Sequence, residues 1–187
     1  MNEFYKAPKT ESSPREFTID ELTPFWHKIV EAIKSAPTLD EYRDAENERE
    51  ENESQFIAGE SDVENLSEDT DIQPNEVIFP DFETLLAAFS ANDVLSKFLP
   101  EEQLSELIEH EKAHLEAAKK LGYSTEIGLS IARTQDGGIM FSPFVSVSID
   151  SKVMSEDEIR NHMQEIANAP GEDMSESDKR KSQIRNG

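Results

Sequence analysis

The stretch from Pro100 to Gly122 constrains this chain most, because it can only be one well-delimited helix. Proline presets the backbone of a first helical turn, and Glu101 and Glu102 beside it favour the positive end of the helix dipole. Leu104, Leu107, Ile108, Leu115 and Ala118 recur at helical spacing and form one apolar stripe. Lys119 and Lys120 suit a last turn, and Gly122 supplies the stop. The spacing predicts a helix over residues 101–121.

Within that helix lies His110-Glu111-Lys112-Ala113-His114, the pattern His-Glu-x-x-His. Residues four apart stack on one helical face, so His110 and His114 can share one metal ion while Glu111 sits beside them. At 100° per residue, Leu107, His110, His114, Ala117 and Leu121 share a ridge along the edge of the apolar stripe, with Glu109, Lys112, Glu116 and Lys119 outside. Zn²⁺ held by two imidazoles and a carboxylate keeps a position open for water, and a neighbouring glutamate can take that water's proton. The pattern thus implies zinc-assisted amide hydrolysis, with His110 and His114 as ligands and Glu111 as general base. The bland reading is that two histidines on an acidic helix are merely solvated.

Composition narrows the alternatives. The chain has 187 residues, with 41 acidic against 18 basic side chains and a formal charge of -23. That balance repels phosphate backbones and anionic lipid, so no nucleic-acid partner is expected. With no cysteine, any zinc must be bound by histidine and carboxylate. No stretch approaches the ~20 apolar residues of a membrane span and no leader-like apolar run opens the chain, so a cytoplasmic protein is expected.

Much of the acid is concentrated in one region. Residues 1–15 read as a flexible lead-in, and 16–45 as an N-terminal helical segment. In the latter Thr18 and Glu21 form a capping box ahead of Leu22, Phe25, Trp26, Ile29, Val30 and Ile33. Residues 46–74 hold too few apolar side chains to offset the entropy of ordering them and read as an acidic, disordered linker.

Residues 75–187 form the remaining unit. Glu76–Pro80 reads as an extended entry and Asp81 as the cap of a helix carrying Phe82, Leu85, Leu86 and Phe89. Beyond Gly122 the period becomes alternating, predicting antiparallel strands at 124–134 and 139–149 around Asp136-Gly137-Gly138. Pro143 makes the second an edge strand at that point or one that carries a bulge, and such a strand could receive an extended peptide by strand addition. Ser155 opens a further helix with Ile159, Met163 and Ile166. The fold class expected is α+β, mostly helical, with the central His-Glu-x-x-His helix beside a small antiparallel strand pair. His27 reads as a packed or exposed residue, and His162, a lone histidine on a polar helix face, as a surface residue.

The third zinc ligand is open on the residues alone: Glu158, Glu165, Glu172, Asp173, Glu176 and Asp178 all compete. The metzincin pattern does not apply, since Ala117 and Lys120 stand where it needs glycine and histidine. A thermolysin-like arrangement would use Glu158 or Glu165. In order of elements, residues 100–185 resemble the peptidase domain of the FtsH-type ATP-dependent zinc proteases. The matching pieces are the pentad, the strand pair, the helix from Ser155 to Ala169, and Ser175-Glu176-Ser177-Asp178-Lys179-Arg180. The pentad departs from that family in Lys112-Ala113, where the family has Ala-Gly. The resemblance implies a shortened, stand-alone zinc metallopeptidase acting on a peptide or protein substrate, with Asp178 as third ligand. The competing expectation is a non-catalytic acidic protein-interaction module. It would bind a protein partner through the N-terminal helix or the acidic linker, its pentad accidental or degenerate.

Overall fold

The computed structural model describes residues 15–45, 48, 73, 75–148 and 154–171. The lead-in up to residue 14, nearly all of the expected linker and the acidic run with Glu172, Asp173, Glu176 and Asp178 lie outside the described residues. The elements are α1 (Ile19–Ser35), β1 (Glu76–Phe79), α2 (Phe82–Ser90), α3 (Leu95–Phe98), α4 (Glu101–Lys120), β2 (Ser124–Arg133), β3 (Ile139–Ser148) and α5 (Glu156–Ala167). Residues 39–45 add a short helical stretch after α1. The fold is mostly helical α+β, with the long helix α4 packed against a small antiparallel sheet.

That sheet has three strands in the order β1-β2-β3, where the sequence predicted two. The stretch read as an extended entry is β1, and it pairs antiparallel with β2 through Glu76↔Ser130 to Phe79↔Ile127. Four residues closed by Pro80 are too few to show alternation, and pairing with a strand some fifty positions later leaves no local mark. β2 is therefore central, and its residues from Ile127 to Ala132 are buried on both faces. Ile127, Leu129 and Ile131 face the helices, while Gly128 lies under the Phe144 ring, where a Cβ would meet ring atoms at 2.1 Å. Among the described residues β3 pairs only with β2, which makes it an edge strand, one of the two settings Pro143 allows.

The local signals place the helices. Thr18 and Glu21 form the capping box of α1, Asp81 caps α2 through Thr84 N–H, and Ser155 and Glu158 repeat the box at α5. α4 starts after Pro100, and the turn that ends it uses Gly122 at φ 87, a left-handed conformation that favours glycine. Leu22 and Ile29 of α1 join Val77, Phe79, Leu85, Phe89, Leu104, Ile108, Leu129 and Ile131 in one core. Phe25 stacks on Phe79 with centroids 4.9 Å apart, and Trp26 Nε1 donates to the Ala88 carbonyl at 2.7 Å. Val30 and Leu107, expected within the buried stripes, are 48% and 41% exposed, because each lies on the outward flank of its helix. No helix among the described residues is long and apolar enough to cross a membrane.

Candidate metal centre

α4 carries the pentad past β3 and against α5, and each neighbour supplies a backbone group to it. His114 is buried at 8% exposure, while His110 and Glu111 are half-buried. His114 Nδ1 lies 2.8 Å from the carbonyl of Ile166. A carbonyl can only accept, so Nδ1 carries the proton and Nε2 presents its lone pair. Ile166 sits in the last turn of α5, where carbonyls lack an intrahelical partner four residues on; this one also accepts from Ala169 N–H at 3.1 Å. The negative end of the α5 dipole thus faces the ring and holds its tautomer.

His110 Nε2 lies 3.3 Å from His114 Nε2. With His114 Nδ1 protonated, this contact is a hydrogen bond from His110 Nε2–H to His114 Nε2; two imidazole nitrogens on one tetrahedral zinc, each bound at about 2.05 Å, also stand about 3.3 Å apart, so the same ring placement would serve a shared ion. The rings meet at 79°, with centroids 5.0 Å apart. Ligand-type atoms of His110, Glu111 and His114 all lie within 4.8 Å of one another. Such a nitrogen pair, with a carbonyl behind one ring, suits a borderline cation such as Zn²⁺.

Glu111 reaches toward the sheet. Its Oε2 accepts from the backbone N–H of Val145 on β3 at 3.1 Å. Val145 is paired with Ile127, and an N–H given to Glu111 points away from β2. Pro143 has the same parity two positions earlier, so its missing N–H costs no ladder bond. The free edge of β3 and the histidine pair are thus one glutamate side chain apart.

Among the described residues, only His110, Glu111 and His114 gather in this way. Glu158 spends its carboxylate on the α5 cap, accepting from Ser155 N–H at 3.0 Å and Ser155 Oγ at 2.7 Å, and those bonds hold its pKa below the ordinary value. Glu165 faces Lys120 at 3.6 Å. His27 is exposed on α1. His162 is not the surface residue expected: it is half-buried, with Nδ1 2.6 Å from the Tyr123 hydroxyl. Its position is legible in hindsight, since Ile159, His162, Met163 and Ile166 follow one helical stripe. The Ile166 carbonyl and Val145 N–H left no sequence signal, because every residue type carries those groups.

The arrangement defines a His-Glu-x-x-His cluster with the donor set of a metal-binding site, on a helix facing a three-stranded sheet. No protein-family model matches the chain, and neither does any curated protein or solved structure. The likeness to the FtsH-type peptidase domain therefore rests on the pentad and the order of elements around it.

Proposed function

We propose that the protein is a zinc-dependent peptide hydrolase. The observation that carries this reading is the 3.3 Å approach of the two Nε2 atoms, with the His114 tautomer held by the Ile166 carbonyl. A bound zinc would supply Lewis-acid polarisation of the scissile carbonyl and acidify the attacking water. Glu111 takes that water's proton and returns it to the departing amine, which breaks the C–N bond and leaves a carboxylic acid and an amine. The substrate is an extended peptide laid along the free edge of β3, beside the Val145 N–H that Glu111 now holds. The charge of -23 favours basic over acidic peptides.

The third ligand is proposed to come from the run after Gly171, with Asp178 favoured by the family resemblance. The Ile166 carbonyl touches His114, so the chain leaves α5 beside the pair. The helix and turn continue to Gly171, and the seven residues from there to Asp178 can span up to about 25 Å when extended.

The test is metal analysis of the full chain purified without added zinc, paired with hydrolysis of a quenched-fluorescence peptide mixture. One equivalent of zinc is expected, lost in His110→Ala. Glu111→Gln should keep the metal and lose on the order of 10²–10⁴-fold in hydrolysis, the usual contribution of a general base. Zinc retained by His110→Ala, or turnover unchanged in Glu111→Gln, would refute the assignment.

A further inference from the structure

The Ile166 carbonyl orients His114, so whatever seats α5 against α4 also sets a metal-facing nitrogen. The two helices run antiparallel: Ile166 meets His114, Glu165 meets Lys120, and His162 meets Tyr123 just past the end of α4. The Lys120–Glu165 pair is exposed at 3.6 Å, and such pairs hold little. The Tyr123 contact is different in kind. Its hydroxyl lies 2.6 Å from His162 Nδ1, the two rings pack edge to face at 5.8 Å, and both residues are half-buried. The same hydroxyl also donates to Met154 Sδ at 3.3 Å, and the His162 contact is satisfied by either ring tautomer, since a hydroxyl both donates and accepts. His162 precedes Ile166 by one helical turn and shares its face of α5.

We propose that Tyr123 and His162 form a clasp that positions His114, acting through α5 and the Ile166 carbonyl. The proposal rests on the reading of His110 and His114 as metal ligands. With the clasp closed, Nδ1 of His114 keeps its proton and the Nε2 lone pair keeps facing His110. With it open, α5 can draw back, the bond to Ile166 lengthens, and the ring gains the tautomer that places the proton on Nε2. Tyr123 and His162 are thus positioning residues, remote from the reacting atoms.

The experiment uses the full chain as wild type, Tyr123→Phe, His162→Leu, His162→Asn and the Tyr123→Phe/His162→Leu double variant. Two quantities are read: the Nδ1 proton of His114 by ¹H–¹⁵N NMR without metal, and zinc affinity against a chromophoric chelator. Tyr123→Phe and His162→Leu should each broaden the His114 proton through exchange and weaken zinc about three- to tenfold, the worth of one hydrogen bond. The double variant should be no worse than either single, because both remove the same bond. His162→Asn should restore both readouts, since its amide can take the place of Nδ1 as donor or as acceptor. An unchanged His114 proton in both single variants would overturn the clasp. Additive losses, or a His162→Asn as impaired as His162→Leu, would do the same by pointing to packing alone. If the wild type takes up no zinc, the metal reading fails by itself, and the His114 proton still decides the clasp.

Discussion

Val145 shows how a residue with no chemical side chain can shape a site. Its N–H points off the sheet edge and holds Glu111, so the carboxylate is oriented by the fold itself. Because that N–H lies outside the ladder, Val145→Pro should remove the Glu111 bond without removing a bond between β2 and β3, as Pro143 already does nearby. The variant is expected to keep its zinc and its fold while hydrolysis falls about tenfold, the loss of one positioning hydrogen bond. Parallel zinc and turnover measurements check this; full turnover in Val145→Pro would remove Val145 from the account. The histidine pair needs less from its neighbours, since i, i+4 spacing alone sets both rings on one face of α4.

Among the elements, α5 carries most consequence for its length. Its N-terminus is fastened by Ser155 and Glu158, whose bonds hold the Glu158 carboxyl below its ordinary pKa of 4.5. A carboxylate with a lowered folded-state pKa contributes stability above the unfolded value, and that contribution fades as pH falls through the folded one. The first turn of α5 should therefore loosen as pH drops below 4.5, with amide exchange there rising more steeply than in the middle of α4. Ser155→Ala should raise exchange at neutral pH and flatten the dependence; an unaltered pH profile would show that the cap contributes nothing. Capping pairs of this kind are readable in advance because both partners lie within four residues, and Thr18/Glu21, Asp81 and Ser155/Glu158 all sit where their spacing put them. β1 was not readable in this way: its partner is β2, and Glu76–Phe79 is too short to show a period. Val30 and Leu107 fit a helical stripe by spacing, yet only the tertiary packing decides which flank of a helix is covered.

Across the whole molecule, the α+β class and the pentad helix were legible, since hydrophobic period and proline–glycine punctuation are local properties. The setting of the pentad was not, because it consists of backbone groups from β3 and α5 brought in by folding. α1 shares the core of the sheet and α4, with Leu22 and Ile29 buried among Phe79, Leu85 and Leu104. One hydrophobic core thus backs the helix that carries both histidines. The central claim is that these histidines converge on one metal ion through Nε2. A zinc titration of the full chain followed by histidine ¹⁵N NMR tests it most directly. At one equivalent, Nε2 of His110 and His114 should shift together while His114 Nδ1 stays protonated and His27 is unmoved. No change at either pentad ring, or shifts confined to His27 or His162, would contradict it.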